Sequence, residues 1–169
     1  MKKVVLALCL CFSAYLAFAT EDPKPGFYGI PWGSTLEQAA QILGKDIPPK
    51  NLVGHHITVE FFNKTFDAFL QFNDTGFYRA VILKVDYTSL RTSAADFDLF
   101  NDALIKKYGK ASFVEENSQV KNSFKATHGW RTPSSTIRIS GLGFDTKDKK
   151  GGTLTVVWES RLVKDGDKL

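Results

Sequence analysis

Residues 56–87, HITVEFFNKTFDAFLQFNDTGFYRAVILKVDY, decide the fold. Three runs rich in β-branched and aromatic residues, His56 to Phe62, Phe66 to Phe72 and Phe77 to Tyr87, are divided by Asn63-Lys64 and by Asn73-Asp74-Thr75-Gly76, which are turn-forming compositions. Connections this short join antiparallel neighbours, so the segment predicts a meander. Ile57, Val59 and Phe61 share one face of the first strand. Val81, Leu83, Val85 and Tyr87 share one face of the third, while Arg79, Lys84 and Asp86 mark wetter or edge positions. One face of such a sheet is expected to be buried.

Working outward from the meander, a helix precedes it. Ser34 is placed to cap this helix while Glu37 reaches back, and Leu36, Ala39, Ala40 and Leu43 follow at helical spacing up to Gly44. Before it, residues 27–33 read as a short extended piece entering a turn. A second helix follows the meander, starting near Ser93 with Asp96 three residues on, and carries Phe97, Phe100, Leu104 and Tyr108 on one stripe before Gly109. Four further strands are expected over Ala111 to Glu115, Ser123 to Trp130, Thr136 to Phe144 and Thr153 to Ser160, the last two joined as a hairpin around Asp145 to Gly152. Gly141-Leu142-Gly143 lacks the third glycine and following helix of a dinucleotide site and reads as a bend or bulge in a strand.

The expected fold class is therefore α+β: an antiparallel sheet of six to seven strands with two helices packed on one face. The order of helix then strands occurs twice, each helix opened by a Ser-x-x-acid pattern and closed by Gly-Lys, which suggests an internal duplication.

The N-terminus carries Lys2 and Lys3, the apolar run Val4 to Leu16, and Ala17-Phe18-Ala19 before Thr20, the pattern of a cleavable secretory signal. Residues 1–19 are thus read as a signal peptide, 20–26 as a polar leader, 27–162 as one domain and 163–169 as a polar tail. The apolar run is too short to span a bilayer as a helix, so no membrane span is expected after cleavage. Both cysteines, Cys9 and Cys11, lie in the signal, which leaves a cysteine-free domain and favours a bacterial periplasm over a disulfide-dependent secreted fold. The formal charge of +4 includes Lys2 and Lys3, and what remains gives no concentrated basic surface for nucleic acid.

Gly29-Ile30-Pro31-Trp32-Gly33-Ser34 running into Leu43-Gly44, then Leu104 to Gly109, Trp130 and a terminal strand with Trp158 resemble a pattern of small exported bacterial proteins, many without assigned function. The helix and strand layout also resembles β-lactamase-inhibitor-like domains, which bind proteins with a curved sheet. The resemblance implies an exported α+β domain and assigns no functional residue.

No catalytic, metal or cofactor constellation is present in the sequence pattern. His55 and His56 are adjacent, so on a strand they face opposite sides, and His128 stands apart. No serine sits in a Gly-x-Ser-x-Gly elbow. The aromatic content, 14 Phe with 5 Tyr and 3 Trp, is the remaining signal, and between residues 61 and 77 it falls on both strand faces. Phe62, Phe66 and Phe69 are candidate contact residues, with Trp32 and Trp130 as candidate anchors; Trp32 also fits a staple between the first helix and the sheet. The leading expectation is a non-catalytic periplasmic protein binding another envelope or secreted protein, as an inhibitor, immunity protein or assembly factor. The alternatives are a carrier of an apolar ligand or lipid, which requires a pocket lined by phenylalanines, and a small hydrolase with dispersed residues such as Glu60 and Asp86.

Overall fold

A computed structural model describes residues 26–117 and 122–163. The expected signal segment lies outside the described residues, as do nearly all of the leader and the tail. The described residues begin with a small hairpin, β1 (Gly26–Phe27) and β2 (Ile30–Pro31), followed by α1 (Leu36–Leu43). Next come β3 (His55–Phe61), β4 (Lys64–Asn73) and β5 (Gly76–Lys84), then α2 (Leu90–Tyr108), then β6 (Phe113–Asn117), β7 (Ser123–Arg131), β8 (Ser135–Asp145) and β9 (Lys150–Ser160).

The seven long strands form one antiparallel sheet in the order β3-β4-β5-β9-β8-β7-β6. It is two meanders, β3 to β5 and β6 to β9, joined where the last strand of each pairs at the centre. The fold is α+β, as the sequence predicts. The duplication is not established: α1 has 8 residues and α2 has 19, and they precede three and four strands.

One sheet face carries the core. Ile57 and Val59, Phe66, Ala68 and Leu70, Ala80 and Ile82, Leu154 and Val156, and Ile137 and Ile139 are buried on successive strands, and α2 covers them with Phe97, Phe100 and Leu104. Removing this apolar surface from water is worth about 25 cal/mol per Å². On β9 and β8 the alternation read from the sequence holds. On β5 it is inverted: Ala80 and Ile82 face the core, because the register sets them beside buried Leu70 and Ala68, and Val81 and Leu83 fall on the open face with Val85 exposed beyond them. A central strand has apolar residues on both faces, so periodicity alone does not select one.

Both helix starts also move. Thr35, not Ser34, caps α1, its hydroxyl accepting from the Gln38 amide at 3.3 Å while Gln38 Oε1 accepts from the Thr35 amide at 2.9 Å. Ser34 instead donates to the Pro31 carbonyl at 2.8 Å. Ser89, not Ser93, caps α2, which places Ser93 and Asp96 inside the helix and buried.

Gly141 and Gly143 make no bulge; they sit in an unbroken ladder with β7 and β9. They are needed because the helix comes close. A Cβ on Gly141 would stand 2.6 Å from Phe124 and 2.7 Å from Phe97, and one on Gly143 would strike the Ser93 hydroxyl. Ser93 fills this gap from the helix side, with a Cβ on Gly152 likewise only 2.6 Å from its Oγ.

Candidate functional site

The candidate residues read from the sequence do not meet. Phe66 and Trp130 are core residues at 2% exposure each, since both lie in strand positions facing α2. They offer no outer surface. Trp32 is half-buried, its indole donating to Ser135 Oγ at 2.9 Å with its ring 4.9 Å from Phe77, so it ties the segment before α1 to the start of β8. Trp130 donates to the Gly109 carbonyl at 2.8 Å and so holds the end of α2 on β7. Phe69 stands half-buried on the open face beside His56. Phe62 borders a cavity.

That cavity is a cleft of about 310 Å³ between the β1–β2 hairpin, the β3–β4 turn and the C-terminal half of α2. Phe100, Ala103, Leu104 and Lys107 recur at helical spacing and turn one face of α2 toward it. Phe27, Phe61 and Trp158 form the opposite wall, with ring centroids 5.3 Å (Phe27–Trp158) and 6.5 Å (Phe27–Phe61) apart. Phe100 is the hinge of the cluster, edge-on to Phe61 at 5.5 Å and to Phe62 at 5.1 Å. The base is buried, Phe100 at 2% and Leu104 at 4%, whereas the rim residues Tyr28 and Phe62 are 45% and 41% exposed.

The two rim aromatics share an unusual backbone. Tyr28 has φ 53° with Gly29 at 83°, and Phe62 has φ 55° with Asn63 at 58°. Each pair is the two-residue loop of a hairpin, and positive φ at both central residues is what a type I′ turn demands. Such turns favour Asn, Asp or Gly at the first position, because a side chain with a Cβ crowds the following carbonyl in left-handed geometry. A bulky aromatic there costs free energy locally. Both turns carry that cost and both aim an aromatic at the same cleft. The β3–β4 turn is therefore Phe62-Asn63 rather than Asn63-Lys64, with Lys64 already paired in β4.

A polar cluster lies one turn N-terminal of Phe100 on α2. Buried Asp96 accepts a hydrogen bond from Tyr87 Oη at 2.8 Å and from Lys64 Nζ, with Lys84 Nζ at 3.6 Å. Burial by itself raises the Asp96 carboxyl, but the hydrogen bonds from Lys64 and Tyr87 and the charges of Lys64 and Lys84 outweigh it and hold it below the ordinary range. Burial, reinforced by the adjacent Asp96 carboxylate, pushes the Tyr87 hydroxyl upward. These contacts make the cluster a clamp between β4, β5 and α2. His128 is similarly engaged, between Asn101 Oδ1 at 2.7 Å and Glu116 Oε1 at 2.9 Å. Among the described residues no group of three His, Cys, Asp or Glu side chains is arranged to hold a metal ion, and no helix is long and apolar enough to cross a membrane.

No family model, curated protein or solved structure matches this chain.

Sequence reasoning missed most of the cleft. Tyr28, Phe61, Phe100 and Trp158 are far apart in the chain and each reads locally as core. The available signal was an aromatic at the first position of two two-residue loops, Tyr28-Gly29 and Phe62-Asn63, where a smaller residue is the norm.

Proposed function

We propose that this protein is an exported, non-catalytic binding protein whose ligand inserts an apolar group into the aromatic cleft. The observation that carries the reading is the pair of exposed aromatics, Tyr28 and Phe62, held in left-handed turns at the rim of one cavity. Strain of this kind persists where the surrounding structure over-determines it, and it concentrates at binding and catalytic sites. The cleft's size and apolar lining fit a ligand pocket at the small end of the usual range. The Lys2 to Ala19 signal pattern supports export. An apolar ligand is favoured over a protein partner because Phe62, Phe66, Phe69, Trp32 and Trp130 do not share a surface.

Titration with the neutral fluorophore N-phenyl-1-naphthylamine tests the reading. One saturable site is expected, and Ala103→Phe, which fills the cleft from α2, is expected to abolish it while leaving thermal unfolding unchanged. No saturable site, or a site indifferent to Ala103→Phe, would refute the proposal.

A further inference from the structure

We infer that the ligand is a single-chain anionic amphiphile, with its apolar body among the aromatics and its head group at Lys107. This rests on the apolar-binder reading and adds to it a size and a charge. A methylene occupies about as much space as a water molecule, roughly 30 Å³, so a cleft of about 310 Å³ takes on the order of ten such groups. That matches one medium-length chain.

The charge follows from the lining. Aromatic walls by themselves also suit a quaternary ammonium head, which sits well over ring faces. Among the described residues the only charged one lining the cleft is Lys107, on the last turn of α2 with its Nζ 5.1 Å from the Tyr108 ring. Among the described residues no acidic residue borders the cleft and no acidic side chain pairs with Lys107. A cationic head would meet an uncompensated ammonium. An anionic one would neutralise it, and Lys107 is exposed, so it can follow the head group at the mouth of the cleft.

The experiment is a calorimetric titration of the full-length chain at low salt with three ten-carbon probes: decanoate, decanol and decyltrimethylammonium. Decanoate is expected to bind at least fivefold more tightly than the ammonium probe, the preference shrinking as salt is added. Lys107→Glu should reverse that order. Affinity should rise about fourfold per methylene from hexanoate to decanoate and then level off as the cleft fills. Equal binding of all three probes would overturn the charge assignment and leave the apolar reading standing. A charge preference that Lys107→Glu does not move would overturn the role of Lys107. Failure of every probe would overturn this inference and the proposed function together.

Discussion

The two ends of α2 meet the sheet in opposite ways. At its N-terminal half the helix descends onto glycines: Phe97 lies against Gly141, and Ser93 is wedged against Gly143 and Gly152, with no room for even one added carbon. At its C-terminal half the facing residues are Phe61 and Trp158, and between them and Leu104 an open cleft remains. One helix is therefore seated tightly at one end and left gaping at the other. The size of the residues on the sheet decides which. The gap is rimmed by two hairpin turns that spend conformational energy to present aromatics. Stability is concentrated at the glycine seam, and strain at the cleft.

The seam should be the easier end to break. Gly143→Val places branched carbons where the Ser93 hydroxyl already lies, and overpacking of this kind typically costs ~3 kcal/mol when backbone cannot yield. Urea unfolding should show that loss or outright failure to fold. If Gly143→Val leaves the midpoint in place, the close approach of α2 is not what secures this end.

The clamp at Asp96 tests the middle of the helix. Asp96→Asn removes the carboxylate that Lys64, Lys84 and Tyr87 share, at an expected cost of about 2 kcal/mol near neutral pH, moderated because Lys64 is 43% exposed and can turn to water. The sign with pH follows from the lowered carboxyl. The folded state binds fewer protons there than the unfolded chain, whose Asp titrates near ~3.9, so this contribution is full above that value and is lost as pH falls below it. Stability of Asp96→Asn should therefore decline less steeply than wild type below about pH 4. Parallel pH curves would remove Asp96 from the account of acid sensitivity.

Much of the fold was legible because it rests on local chemistry. The turn compositions between the first three strands, the alternation of Leu154, Val156 and Trp158, and the glycines closing both helices each carry a physical reason within a few residues. Ser34 and Ser93 both fit a cap locally, but Thr35 forms the reciprocal pair with Gln38 and Ser89 accepts from the Thr92 amide, so competing local caps one residue later and four residues earlier set the helix starts. Which face of β5 is buried was set by its partners Ala68 and Leu70, and periodicity does not see a partner. The cleft was illegible for the same reason in stronger form. Its walls come from β1, β3, α2 and β9, and only their juxtaposition distinguishes Phe61 or Trp158 at a cavity from the same residues in a filled core.

The smallest expected change in stability is also the one that separates strain from packing. Tyr28→Asn creates Asn-Gly at the β1–β2 turn, the pair best suited to positive φ at both positions. It relieves left-handed strain worth on the order of 1 kcal/mol and forfeits ring contacts of Tyr28 with Phe27 at 6.1 Å and Phe61 at 5.7 Å, worth a comparable amount. The two effects nearly cancel, so the variant should unfold within about 0.5 kcal/mol of wild type or slightly later. Its binding should fall much further, because the substitution strips one aromatic wall from the rim. A variant that keeps its stability and loses N-phenyl-1-naphthylamine binding marks Tyr28 as retained for the cleft. A variant that loses stability by 2 kcal/mol or more, on the scale of a core truncation, would make Tyr28 a packing residue and extend the behaviour of the glycine seam to both ends of the helix.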